Sequence, residues 1–164
     1  MTFRKATTED IDAINELFYE LDTGSINMRP THFQRGVRSL EYLSGLINDE
    51  KSDFILAIID GVIVGFSLIF VKATPDVSLL VPSKYAFIQD FVVAERYRNK
   101  GIGAMLMEQS KQWAKERNMD YLRLSVLPEN EGARRFYKYH GLSEQMITME
   151  CPLRPHPHPP GHPY

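Results

Sequence analysis

Apolar residues recur at two periods along the chain, and each change of period marks a new element. Ile11, Ile14, Leu17, Phe18 and Leu21 fall three and four apart, which predicts an amphipathic helix over 8–22. Thr7 stands three residues ahead of Asp10, a capping arrangement that follows a short alternating strand over 2–6. Thr23-Gly24-Ser25 reads as the end of that helix. Behind Pro30, whose fixed φ suits a first helical turn, Phe33, Val37, Leu40, Leu43 and Ile47 keep helical spacing, so a second helix is expected from Pro30. Gly36 and Gly45 lie inside it, each weakening it by about 1 kcal/mol of propensity.

The pattern then turns β-branched. Residues 54–59 and 62–71 form two strand-like runs separated by Asp60-Gly61, a strong hairpin signal. Pro75 and Pro82 mark 73–84 as a loop before a strand over 85–93. A helix follows over 101–117, with Ile102, Met105, Leu106 and Trp113 on one side. Residues 121–127 alternate and stop at Pro128, 130–140 form a short helix closed by Gly141, and 147–151 read as a last strand. The tail, 152–164, is mostly Pro, His and Gly without periodicity and is expected to stand outside the fold as a disordered or vector-derived extension. Its His156, His158 and His162 would bind a metal only adventitiously. The expected fold is therefore a mixed α/β (α+β) domain over 1–151.

Composition narrows the function classes. With 43% hydrophobic and 24% charged residues the chain has the balance of a globular protein, not a disordered one. A formal net charge of -2 supplies no global basic field, so nucleic-acid binding is not expected. One cysteine, Cys151, excludes an internal disulfide and a thiol-based zinc site, and no metal is expected. No apolar run nears the roughly 18 residues of a spanning helix, and the N-terminus lacks a signal-peptide pattern, so no membrane association and a cytoplasmic location are expected.

Candidate chemistry concentrates in Phe91-Val92-Val93-Ala94-Glu95-Arg96-Tyr97-Arg98-Asn99-Lys100-Gly101-Ile102-Gly103-Ala104. A strand runs into a polar loop, and two glycines open a helix. Amides at a helix N-terminus lack intrahelical partners and point outward at the positive end of the macrodipole. Gly101 and Gly103 carry no side chain to keep a phosphate away, and Arg98 and Lys100 add positive charge, so the segment reads as a pyrophosphate cradle. It is not a Walker loop, since no Gly-x-x-x-x-Gly-Lys-Ser/Thr occurs, and it lacks the third glycine of the dinucleotide fingerprint.

Arg98-x-x-Gly101-x-Gly103 after an apolar strand resembles the acetyl-CoA-binding signature of the GNAT N-acetyltransferases. Asn130-x-x-Ala133-x-x-Phe136-Tyr137-x-x-x-Gly141-Leu142 resembles the family's second signature, at the expected distance downstream. The resemblance spans about 2–151, and Gln89-Asp90-Phe91-Val92-Val93 is closest to the polyamine (spermidine/spermine) branch. It implies a mostly antiparallel sheet with a splayed pair of strands and about four helices. It also implies that acetyl-CoA lies with its pantetheine along Phe91, Val92 and Val93 and its pyrophosphate on the amides of Arg98, Asn99, Lys100, Gly101, Ile102, Gly103 and Ala104. Asn130 would hydrogen-bond the arm, although capping a helix is its simpler use, and Ala133 would let the cofactor pass close. The tyrosine matching Tyr137 serves the family as the general acid that protonates the departing thiolate.

The attacking amine must lose a proton. Polyamine-type relatives often carry a glutamate where this chain has Gln89, and an amide is no base. A water chain, Asp90, or an acid of the first helices such as Glu16 or Glu20 remain as candidates; strict alternation would turn Asp90 away from the face of Gln89. Glu16, Glu20 and Asp22 could attract a cationic amine or simply form a solvated helix face, and Tyr19, Phe33 and Tyr85 could line the pocket or simply pack. The resemblance implies an N-acetyltransferase acting in a ternary complex on a primary amine, with a small molecule favoured over a protein or peptide acceptor. The Gln89 substitution motivates an alternative, a non-catalytic acyl-CoA-binding sensor. The resemblance also leaves room for a homodimer.

Overall fold

The computed structural model describes residues 1–155; the three tail histidines, His156, His158 and His162, lie outside the described residues. Two compact units make up the chain. The first comprises 1–20 and 38–125, and the second comprises 21–37 and the residues from 126 on.

The first unit is built on a five-stranded sheet in the order β1 (Thr2–Lys5), β2 (Ser52–Ile59), β3 (Val62–Ala73), β4 (Lys84–Val93), β5 (Tyr121–Leu124). All neighbours are antiparallel except β4 and β5, which run parallel. The Asp60-Gly61 hairpin is present, with Ile59 paired to Val62 and both turn residues at positive φ, 49° and 77°. Two such residues in succession match the right-handed twist of the flanking strands.

Register assigns the two faces of the sheet. Phe54, Phe66 and Leu68 meet the helix α1 (Ile11–Met28) on one side, where Phe18 sits 4.9 Å from Phe66 and 6.2 Å from Phe54 in edge-on contacts. Ser67 and Asp53 face the helix α3 (Ile102–Glu116) on the other. There the Ser110 hydroxyl donates to Ser67 Oγ at 2.9 Å, and Trp113 Nε1 donates to the buried Asp53 carboxylate at 2.7 Å, so neither polar pair is left unsatisfied in the core. Lys5 Nζ and the Arg117 guanidinium each lie 3.4 Å from the same carboxylate.

Gly65 pairs with Val93 in the β3–β4 ladder. A Cβ at Gly65 would lie 2.7 Å from the carbonyl oxygen of Val92, a backbone atom with no rotamer to move into. Gly65→Ala is therefore expected to cost about 1–3 kcal/mol, lowering Tm by roughly 2–12 °C in a circular-dichroism melt.

The sequence pattern errs in three places. Helix α1 continues through Gly24 to Met28, because one glycine costs too little to stop a helix otherwise anchored by buried Ile11, Ile14, Leu17 and Phe18. The second helix, α2 (Leu40–Asn48), begins ten residues after Pro30; the Ser39 hydroxyl accepts from Tyr42 N–H at 3.1 Å and supplies the cap. Phe33 and Val37 share the helical spacing by coincidence, and Val37 is 95% exposed. Residues 147–151 form no strand, and Ile147 and Met149 are exposed.

In the second unit, α4 (Glu131–Tyr139) is capped by Asn130, whose Oδ1 accepts from Ala133 N–H at 3.2 Å. It ends with Gly141 at φ 91° and a Leu142 N–H to Tyr137 carbonyl bond of 3.0 Å, the left-handed closure expected of that glycine. Arg29 grips Glu129 with two bonds of 3.1 and 2.6 Å, and Arg134 meets Glu144 at 2.7 Å; both guanidinium partners hold these carboxyls below the usual carboxylate range.

Candidate active site

Strand β5 pairs with β4 only from Tyr85 to Ile88, whereas β4 runs on to Val93. The β4–β5 ladder thus ends at Ile88, well before β4 does, and an extended ligand adding as a strand would enter there. Phe91, Val92 and Val93 all lie on this stretch; the Val92 side chain is buried, while Phe91 and Val93 are half-buried. The carbonyl of Val93 accepts from Arg98 Nε at 3.0 Å, so the Arg98 side chain folds back onto the strand that precedes it.

Beyond β4 the chain makes one turn of 3₁₀ helix (Glu95–Tyr97) and then enters α3 through two left-handed residues, Asn99 at φ 62° and Gly101 at φ 79°. A Cβ built on Gly101 would meet nothing within 4 Å, so the space outside the turn is open. The Ile102 side chain is buried beside Ala57 and Val64, with Tyr97 and Val93 packed on the same cluster. That anchor fixes the first turn of α3, leaving the amides of Ile102, Gly103 and Ala104 without intrahelical partners. Exposed Lys100 lies with its Nζ 5.4 Å from the Tyr97 ring. A strand that outruns its β5 partner and leads into an open, amide-lined turn fits an elongated ligand ending in phosphates.

The β3–β4 register shifts at Gln89. Leu68 pairs with Asp90 and Ile69 with Ile88, so Gln89 is the extra residue of a bulge. Asp90 consequently shares the face of Leu68, Phe66 and α1, while Gln89 is exposed and donates from Nε2 to Asp90 Oδ2 at 3.3 Å. Alternation alone set Asp90 aside; the bulge removes that objection.

Of the other candidates, Glu16 and Glu20 line an open cleft of about 600 Å³ with Ile63, Ala94 and Arg96. Glu20 Oε1 accepts from the Glu95 N–H at 3.0 Å and so ties α1 to the start of the 95–100 loop. Tyr85 stacks on Tyr121, with ring centroids 5.2 Å apart and planes 10° from parallel. Tyr19 is 61% exposed and Phe33 40% exposed.

In the second unit, Tyr137 is half-buried on α4, its ring 5.6 Å from Phe136 in an edge-on contact. Burial pushes its phenol up to about 12. Phe136 also packs 4.5 Å from His140. Asn130 spends its side-chain oxygen on the cap of α4, where it accepts from the Ala133 N–H. Among the described residues no three His, Cys, Asp or Glu side chains are grouped to hold a metal, and no helix is long and apolar enough to cross a membrane.

Comparison with known proteins adds four relationships. The profile of the acetyltransferase (GNAT) family matches residues 14–142. An uncharacterized N-acetyltransferase of Archaeoglobus fulgidus is 33% identical over 137 residues, covering 84% of this chain and 89% of that protein. In structure, a tetramutant of the BH1408 protein from Bacillus halodurans superposes with a TM-score of 0.89 at 28% identity, over 93% of this chain and all of that one. The aminoglycoside N-acetyltransferase AAC(6')-Iy in complex with CoA superposes with a TM-score of 0.70 at 16% identity, over 93% and 99% of the two chains, a likeness of fold.

Proposed function

The chain belongs to the GNAT acetyltransferase family, and from that premise we propose that it carries acetyl directly from acetyl-CoA to the primary amine of a small molecule, as a cytoplasmic enzyme. Enzymes of this family use acetyl-CoA, whose thioester supplies an activated acyl carbon. The observation that carries the reading is the early end of the β4–β5 ladder at Ile88, ahead of the open turn at Gly101.

On this reading, main-chain groups of Phe91 and Val93 hold the extended arm, and Val92 anchors the strand through its buried side chain. The amides from Asn99 to Ala104 receive the pyrophosphate, and Lys100 adds charge at the rim. Asn130 keeps its side-chain NH₂ for the arm while its oxygen caps α4. Asp90 accepts the proton that the amine must lose, since the bulge turns its carboxylate to the α1 face. The amine lone pair then attacks the acetyl carbon, the carbon–sulfur bond breaks, and the Tyr137 hydroxyl donates its proton to the departing sulfur. The opening turn of Glu95–Tyr97 is held by Glu20, which supports a positioning role for that residue over one as a substrate ligand.

Titrating acetyl-CoA and free CoA into the protein by calorimetry tests the reading. Micromolar binding is expected, and Gly103→Glu, which sets a carboxylate against the phosphates, should weaken it at least about a hundredfold. A wild-type protein that binds neither ligand would overturn the assignment of the turn and the enzyme reading with it.

A further inference from the structure

We infer that the α1-side face of β4 and β5 binds the acceptor, and that this acceptor is an amine carrying a carboxylate on a flat, ring-like body. The inference rests on the acetyltransferase reading and narrows its substrate class. Register sets six side chains on one face in two rows, Lys72–Tyr85–Tyr121 and Phe70–Phe87–Arg123. It is the same face on which Asp90 stands, one row nearer the end of β4.

The two cations stand at opposite corners of this grid, with four rings between them. Arg123 lies 4.9 Å from both the Tyr85 and the Tyr121 ring, and Lys72 lies 5.7 and 5.4 Å from the Phe70 and Phe87 rings. Lys72 and Arg123 are exposed and the rings half-buried. Among the described residues neither cation meets a carboxylate. Two unpaired positive charges held over aromatic faces offer an anion a partner and a planar group a stacking surface. Asp90 and Arg123 stand two residues apart along the strands and one strand apart across them, roughly 8 Å on the backbone grid. An acceptor with its amine at Asp90 and its carboxylate at Arg123 meets a partner at each end. A polyamine placed there meets Lys72 and Arg123 as like charges.

Three probes of similar reach separate these cases: 4-(aminomethyl)benzoate, its uncharged amide 4-(aminomethyl)benzamide, and spermidine. Calorimetric titration in the absence of cofactor should show the benzoate binding about tenfold tighter than the amide, with spermidine weakest. Arg123→Gln combined with Lys72→Gln should erase the difference between benzoate and amide and raise KM for the benzoate by a similar factor. Arg123→Lys in the otherwise native chain should restore part of it. Equal binding of benzoate and amide, or tighter binding of spermidine than of either, would overturn the proposal and leave the ladder as a device that shields rings from water. CoA affinity, measured in parallel on every variant, reports separately on the acetyltransferase reading.

Discussion

Tyr137→Phe should lower kcat by about 10²–10⁴-fold and leave the affinity for CoA unchanged in the same preparation. The substitution removes one oxygen and keeps the ring that packs beside Phe136. Burial raises the phenol to about 12, so it remains protonated throughout the range in which the protein would be assayed. The rate should therefore show no alkaline decline assignable to Tyr137 below about pH 10. The same shift bears on stability with a definite sign. A phenol whose folded pKa exceeds its unfolded value binds its proton more tightly in the native state, so its stabilisation is complete below about pH 10. It is lost as pH rises through about 12, and Tyr137→Phe should flatten that loss in alkaline melts. An unchanged kcat in Tyr137→Phe would remove the residue from the mechanism.

Asp90→Asn should lower kcat/KM at neutral pH by a comparable factor, about 10²–10⁴. The deficit has a signature that a merely structural defect lacks. A free alkylamine titrates near 10.4, so raising the pH delivers the acceptor already neutral, and the variant should approach the wild-type rate there. Gln89→Ala, at the extra residue of the bulge, should leave that pH profile in place, because an amide is no base. If instead Glu16→Gln or Glu20→Gln reproduces the Asp90→Asn profile, the base lies on α1.

The contrast between Asp60-Gly61 and Gln89-Asp90 shows what a single sequence discloses. The hairpin was legible because its geometry needs positive φ at two adjacent positions, and the residue types announce it. Asn130 and Gly141 announce the two ends of α4 in the same way, and the glycine pair at 101 and 103 announces the turn into α3. The bulge at Gln89 has no such marker. It follows from which residues of β3 pair with β4, and a one-residue slip changes faces without changing composition. Lys72 and Arg123 escaped for the same reason, since their neighbours across the sheet, Tyr85 and Phe87, come from another strand. Spacing misled at Phe33 and Val37, where a helical period continued through a segment that buries nothing.

Trp113 is the chain's single tryptophan, and its indole N–H is committed to Asp53 on the far side of the α3–β2 contact. Emission excited at the red edge of the absorption band thus comes from one place, the seat of α3 on the sheet. The colour of that emission is an internal gauge of whether the helix presenting Gly103 is docked, readable without a dye or a label. Loosening of α4, which holds no tryptophan, would register in far-ultraviolet dichroism instead.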